Sequence, residues 1–340
     1  MIMERSQAGR PRHTKEAPAG GVELAALYAG LYRIRRAEEV IADLYPEQQM
    51  RCPVHLCIGQ EAPPVGVCSQ LEPCDYAFST HRSHGHYLAK GGSLVALLGE
   101  LYGRAVGCSG GKGGSMHLID LDCNFLGAVP ILGTSVALAV GAGFAISRRR
   151  ERRVSVAFFG DAAAEEGVFY EAANFAVLHR LPVVLVCENN GLSTLSPLAV
   201  RQPPGRSLCD LVRGIGMEAR AGDGNDVLEV VRLASDAIAH AREGAGPVFL
   251  EFAVHRWREH CGPGWDHDKG LRDPAELPSF KERDPLVVMR GFLEQAGGWD
   301  ESAMSRIRAD IDAEVAAAVT TVQASPYPDR GQLMADEYAP

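Results

Sequence analysis

Three short apolar, β-branched segments in the middle of the chain alternate with segments of helical spacing. Strands are predicted at residues 154–159, 182–187 and 247–254, with helices between them at 166–179 and about 227–242. Strands joined through helices run parallel, and their right-handed crossovers place helices on both faces of one sheet. The pattern predicts an α/β fold with a central parallel sheet, whose ligands bind beyond the carboxyl ends of the strands.

Amphipathic helical segments lie on either side of this pattern. Residues 22–45 and 94–102 have helical spacing, so the first third is predicted to be mostly helical. The small apolar residues of 132–147 predict a helix buried on nearly all sides. The predicted organisation is a disordered tail at 1–20, an α/β domain at 21–275, and a C-terminal helical extension at 276–340 with helices at about 285–295 and 301–319.

Two further segments have unusual compositions. Residues 104–124 include five glycines around Lys112, which predicts a loop whose backbone can approach another group closely. The run RRRERR at 148–153 has the form of a basic motif, but it is short and interrupted by a glutamate. We interpret it as the solvated end of a helix before the first strand of the α/β pattern.

Composition excludes several classes of protein. The chain has 340 residues, 46% of them hydrophobic, which is enough for a large buried core. A formal net charge of -9 argues against nucleic acid or an anionic membrane as the main partner. No segment approaches the roughly 18 apolar residues that cross a bilayer. Nine scattered cysteines without a CxxC pair indicate neither a disulfide framework nor a zinc knuckle, so we expect a cytoplasmic protein in a reducing compartment.

Short oxygen-bearing side chains follow two of the predicted strands. The first strand ends in Gly160-Asp161-Ala162-Ala163, and the second in Glu188-Asn189-Asn190. A carboxylate and an amide carbonyl are hard ligands suited to Mg²⁺ or Ca²⁺, with phosphate oxygens completing the coordination. Each element alone also fits a structural reading, in which Asp161 caps a helix and the asparagines form a turn. Their combination at one edge of the sheet favours a metal site.

The pattern of GD followed by ENN resembles the thiamine diphosphate signature, in the form found in α subunits of 2-oxoacid dehydrogenase E1 components. Pyruvate, branched-chain and acetoin types share it. Further motifs occur in the family's order and span about 55–265. They are HLCIGQEA, STHRSHG, GCSGGKGGSMH, GDAAAEEGVFYEAANFA, LPVVLVCENN and RWREHCGP. The resemblance implies a thiamine diphosphate-binding fold with helical N- and C-terminal additions.

The resemblance also implies roles for individual residues. Asp161, the Asn190 side chain and the Leu192 carbonyl match Mg²⁺ ligands, and Arg82 matches an arginine that binds the diphosphate. His81 stands where much of the family has a tyrosine, and Ala162 replaces the customary glycine. The remaining cofactor-binding positions are Pro130, Leu132, Gly160, Ala163 and His260. The sequence GAVPILG around Pro130 differs from the glycine-rich sequence that the family usually has there.

Three histidines match family positions that face the substrate or the diphosphate: His55, His84 and His260. Histidine moves protons well near neutral pH, which makes these three candidate catalytic residues. A satisfied structural histidine is the alternative at each position. His260 belongs to the loop after the third strand, where the family has a His-Ser pair whose serine is phosphorylated in mitochondrial enzymes. Cys261 replaces that serine, so we do not expect this regulation.

The family's partners follow from the same resemblance. A glutamate of a β subunit activates the cofactor, and no counterpart is identified in this chain, so an α₂β₂ heterotetramer is expected. The leading hypothesis is decarboxylation of a pyruvate-like 2-oxoacid with transfer of the acyl unit to a lipoyl group on an E2 partner. One alternative is a two-carbon ketol or acyl transferase of specialised or sugar metabolism, acting on a 2-oxoacid or ketose without a lipoyl partner, and the unusual RWREHCGPGWDHD loop motivates it. Another is a non-catalytic scaffold subunit, against which the intact Asp161 and Asn190 count.

Overall fold

The computed structural model describes residues 23–270 and 272–332 together with residue 335, and the tail predicted at 1–20 lies outside them. Its centre is a six-stranded, all-parallel sheet with the strand order β2-β1-β3-β4-β8-β7, beside a two-stranded antiparallel sheet of β5 and β6. The strands are β1 Tyr76–Ser79, β2 Phe125–Ala128, β3 Ser155–Gly160, β4 Val183–Asn189, β5 Leu192–Ser193, β6 Ser196–Pro197, β7 Glu218–Asp223 and β8 Val248–Ala253.

Helices cover both faces of the large sheet. They are α1 Leu24–Leu44, α2 Ala62–Cys68, α3 His84–Ala89, α4 Leu94–Leu101, α5 Thr134–Arg149, α6 Gly167–Leu178, α7 Leu198–Arg201, α8 Leu208–Gly214, α9 Val227–Arg242, α10 Leu277–Glu282, α11 Pro285–Gln295 and α12 Glu301–Ala324. Alternate residues of β4 face opposite layers, because side chains point to opposite sides along a strand. Val184 and Val186 pack in the layer of α1, α2 and α9, whereas Val183 and Leu185 pack with α5, α6 and α8. The predicted α/β fold is confirmed.

Every predicted helix and strand of the α/β pattern is present, but three strands of the sheet were missed. β1 and β2 have only four residues each, too few for a clear alternation. β7 is an edge strand with the sequence EARAGD, whose charged residues do not have the composition of a buried strand. Within the described part of the first third, residues 23–113, helices are the predominant regular structure and β1 is the only strand, but about half of these residues lie in loops.

The prediction that the helix at 132–147 is buried on nearly all sides is wrong. α5 packs one face on β3 and on α6, and its other face carries Leu138, 43% exposed, and Phe144, 37% exposed. Small apolar residues indicated burial, but in this chain the sheet covers only one side of the helix. The RRRERR run is a solvated helix end, as predicted: α5 ends at Arg149 and the arginines around it are largely exposed.

The C-terminal helices share the core of the α/β body. α12 packs against α1 and α4, and its Ile311, Val315 and Val322 belong to the same buried cluster as Leu31 of α1. The division at residue 275 stays a prediction. All nine cysteines are free thiols. Among the described helices, none combines the length and apolarity that crossing a bilayer requires.

Candidate functional site

A cavity of about 280 Å³ opens where β1, β3 and β4 end, beside the loop after β8. This is the carboxyl edge of the sheet, where ligands of parallel sheets bind. Twelve sequence-predicted site residues line it: His55, His81, Arg82, Pro130, Leu132, Gly160, Asp161, Ala162, Ala163, Asn190, Leu192 and His260. Their roles stay predictions, but the fold brings them to one place. His84 lies elsewhere.

Asp161 and Asn190 lie at the ends of adjacent strands. Asp161 is 1% exposed, and burial raises the pKa of its carboxyl group. The Asn190 amide is oriented by two hydrogen bonds: its nitrogen donates to Gln60 at 3.3 Å, and its oxygen accepts from the Leu192 backbone N–H at 3.0 Å. A five-residue 3₁₀ turn, Asp161–Glu165, separates β3 from α6. α6 therefore begins six residues after Asp161, at Gly167, close to the predicted helix start at residue 166.

Arg201, at the end of α7, is a site residue that sequence reasoning missed. Its guanidinium donates to Oδ2 of Asp161 and, through a second nitrogen, to Oε1 of Glu165. Gln202 donates to the same Glu165 oxygen at 2.7 Å. Arg201 and Asp161 are 40 positions apart. No local pattern marks such a pair, because only the folded loop brings the two residues together.

Three histidine rings cluster in the lining of the cavity. The ring centroids of His55 and His81 are 4.8 Å apart, and those of His55 and His260 are 4.9 Å apart. Burial, together with the Arg82 charge, lowers the pKa to about 3 for His55, about 2 for His81 and about 4 for His260. The three imidazoles are therefore neutral near pH 7 in this structure. His55 Nδ1 is buried without a hydrogen-bond partner.

Two buried arginines, Arg82 and Arg256, bring positive charge to the cavity that the histidines line. Arg82 donates to the backbone carbonyls of Leu56 and His260, which fixes its guanidinium beside the histidines. Burial, reinforced by the Arg256 charge, lowers the pKa of Arg82 to about 10, so it stays protonated near neutral pH. Guanidinium groups beside neutral imidazoles favour an anionic ligand over a cationic one.

The loop after β8 is tied to the loop after β4. Arg256, 1% exposed, donates to Asp266 at 2.8 and 3.1 Å and to the Thr194 carbonyl at 3.1 Å. Arg272 donates to Asp266 at 3.4 Å and to the Asn190 carbonyl at 3.2 Å. Asp266 therefore holds together the two loops that carry His260 and Asn190. Sequence reasoning had assigned neither Arg256 nor Asp266.

Two buried histidines of α3 have carboxylate partners. His84 Nδ1 is 2.6 Å from Glu38 Oε1, and its Nε2 is 2.7 Å from Ser115 Oγ. These contacts tie α1 and α3 to the glycine-rich loop and suit a positioning role, while the predicted catalytic role of His84 stays untested. His86 Nε2 is 3.0 Å from Oε1 of Glu188, which lines the cavity and was not assigned from sequence.

The glycine-rich loop wraps around a carboxylate of the chain itself. Glu100, 1% exposed, accepts backbone hydrogen bonds from Ser109, Gly111, Gly113 and Gly114 at 2.6–3.0 Å. The sequence predicted a backbone that closely approaches another group, and within the described chain that group is Glu100. The loop contributes Met116 to the cavity wall.

The residues present fit a metal ion and a diphosphate. The Asp161 carboxylate, the Asn190 amide oxygen and the Leu192 carbonyl are hard oxygen donors of the kind that Mg²⁺ prefers. Arg82 lines the same cavity and supplies a fixed positive charge. A diphosphate coordinated to the metal would be attracted by both the metal and Arg82.

Three known proteins align with nearly the whole chain. The family model described as "Dehydrogenase E1 component" matches residues 29–330. Subunit alpha-3 of the chloroplastic pyruvate dehydrogenase E1 component of Arabidopsis thaliana is 36% identical over 319 residues, covering 92% of this chain and 74% of the plant protein. Subunit alpha of acetoin:2,6-dichlorophenolindophenol oxidoreductase of Bacillus subtilis is 35% identical over 312 residues, 92% of each protein. The pyruvate dehydrogenase E1 subunit alpha of Zymomonas mobilis is 36% identical over 319 residues, 92% of this chain and 87% of its own length.

Proposed function

The chain belongs to the dehydrogenase E1 component family, as the α subunit of a thiamine diphosphate-dependent 2-oxoacid dehydrogenase with a β-subunit partner, and on that premise we propose its substrate, metal and acceptor. The substrate is pyruvate or a close 2-oxoacid, the metal is Mg²⁺, and the acyl unit passes to a lipoyl group on an E2 partner. The observation that carries the proposal is the convergence of Asp161, Asn190, Leu192 and Arg82 on one cavity at the sheet edge.

The chain's own residues bind and orient the diphosphate end of the cofactor. Asp161, Asn190 and the Leu192 carbonyl hold the metal, and Arg82 donates hydrogen bonds to phosphate oxygens. Pro130 and Leu132 line the cavity and would lie against the aminopyrimidine of the bound cofactor. When bound, thiamine diphosphate supplies the carbon nucleophile that attacks the carbonyl group of the substrate.

The histidine cluster serves the substrate side of the reaction. His55 and His260 are neutral near pH 7, so each ring offers one nitrogen that donates and one that accepts. Such groups hydrogen-bond the carboxylate or carbonyl of a 2-oxoacid without themselves carrying charge. His81 takes over the diphosphate contact for which the family commonly uses tyrosine.

A second candidate substrate is acetoin. It is favoured by the Bacillus subtilis relative, whose name states that it oxidises acetoin and whose α subunit aligns with this chain over 92% of both. The histidines on the cavity wall can hydrogen-bond a hydroxyl group as well as a carboxylate. The two substrates differ in charge, so an assay with each of them separates the two candidates.

The test is co-expression of this chain with a β-type E1 subunit, followed by assay of 2,6-dichlorophenolindophenol reduction. We expect pyruvate-dependent reduction that requires both thiamine diphosphate and Mg²⁺. Acetoin-dependent reduction without pyruvate activity supports the second candidate. Asp161→Asn should abolish Mg²⁺-dependent cofactor retention, whereas Asp122→Asn, at an exposed position, should not. Cofactor retention in Asp161→Asn equal to wild type would contradict the metal assignment, and full activity of this chain alone would contradict the shared active site.

A further inference from the structure

The Arg201 side chain donates a hydrogen bond to only one of the two oxygens of the Asp161 carboxylate. The hydrogen bond goes to Oδ2, and the Asp161 side chain is 2% exposed. A hydrogen bond to Oδ2 restricts rotation of the carboxylate, and Arg201 does not contact Oδ1. The cavity is the ligand space at this position, since Asp161 lines it together with Asn190 and Leu192.

The positive charge of Arg201 is balanced by Glu165. Its second guanidinium nitrogen pairs with the Glu165 carboxylate, which Gln202 also contacts at 2.7 Å. The Arg201–Glu165 pair is therefore neutral as a unit. Asp161 therefore accepts a directed hydrogen bond from an ion pair that adds no net charge. Such a pair repels a nearby cation only weakly.

We propose that Arg201 is a positioning residue for the metal ion, which fixes the Asp161 carboxylate and anchors the loop that supplies the other ligands. The inference rests on the proposed metal role of Asp161. Hydrogen-bond partners of ligating carboxylates orient the ligand and strengthen metal binding. Arg201 ends α7, in the same loop as Asn190 and Leu192, so one side chain links the ligands that follow β3 to those that follow β4.

The experiment measures Mn²⁺ affinity in the assembled enzyme with thiamine diphosphate present, from the electron paramagnetic resonance signal of free Mn²⁺. Three variants are compared with wild type: Arg201→Gln, Arg201→Lys and Arg206→Gln. Arg206 is the matched control, because it lies in the same loop and donates to Tyr170 without touching Asp161 or Glu165. Circular dichroism checks that each variant is folded.

We expect Arg201→Gln to weaken Mn²⁺ binding by about 10–100-fold. Arg201→Lys should restore part of the affinity, because lysine keeps one directed, charged donor, and Arg206→Gln should bind like wild type. Unchanged or tighter binding in Arg201→Gln overturns the inference while leaving the metal site intact. If the wild-type enzyme binds no Mn²⁺ with the cofactor, the proposed function fails first.

Discussion

The backbone N–H of Gly113 donates a 2.6 Å hydrogen bond to Oε1 of Glu100. Three more amides of the same loop point at this carboxylate, so the loop is built as a nest of donors around a charge that the chain itself supplies. Glu100 therefore organises the segment from which Met116 reaches the cavity. The glycines serve loop geometry, while the diphosphate end of the proposed site belongs to other residues.

Replacement of Glu100 by alanine should destabilise the protein. Four amides lose a charged acceptor in a largely buried setting, which predicts a loss of about 2–4 kcal/mol in the free energy of unfolding. Urea denaturation followed by circular dichroism measures it. Glu171→Ala, at an exposed position on α6, is the control and should stay near wild type. Equal stability of the two variants would mean that the nest does not depend on its carboxylate.

Two neighbouring glycines separate backbone strain from steric clash. Gly110 and Gly111 have φ angles of +64° and +76°, so alanine is strained at both, by about 1–2 kcal/mol. A Cβ at Gly110 meets nothing within 4 Å, whereas one at Gly111 comes within 2.6 Å of the Arg104 carbonyl oxygen. Gly111→Ala should therefore cost about 1–3 kcal/mol more than Gly110→Ala in urea denaturation. The reverse order would contradict the loop geometry.

Loss of the Asp266 carboxylate should loosen both loops at the cavity. Asp266→Asn leaves the fully buried Arg256 without its counter-ion, which predicts a loss of about 3–5 kcal/mol in unfolding free energy. We expect faster proteolysis within the loop after β8 and weaker cofactor binding by calorimetry. Asp268→Asn changes an exposed carboxylate of the same loop and should leave both measurements unchanged. If Asp266→Asn were cleaved at the wild-type rate, the loops would be held by other contacts.

The histidine cluster predicts acid sensitivity. Burial and Arg82 lower the pKa of His81 to about 2, against about 6.5 for an unfolded histidine, so below pH ~6.5 the unfolded chain binds more protons. The stability contribution is complete above that pH and falls by about 1.4 kcal/mol per pH unit per histidine as the solution is acidified. His81→Asn should flatten the slope of unfolding free energy between pH 6 and 5 by that amount for one histidine. His179→Asn, at an exposed position on the surface, should keep the wild-type slope.

The sequence alone determined three of the six strands of the central sheet and most of the cavity lining. Apolar β-branched segments predict β3, β4 and β8 because burial on both faces leaves a composition that local reading detects. Asp161 and Asn190 follow from their places at strand ends, and parallel strands bring such ends to one edge. β7 was not predicted, because this edge strand contains charged residues and lacks the apolar, β-branched composition of a buried strand.

Only the tertiary structure decided which polar side chains pair. Three contacts illustrate this: Arg201 with Asp161, Arg256 with Asp266, and Glu100 with its loop. Each depends on the distance and direction between two groups in space, which the sequence does not contain. Periodicity reports which face of an element is buried, because burial acts on every residue of that face. A hydrogen bond depends on where two loops approach in space, so the fixed loops and the orientation of Asp161 emerge only when the chain is folded.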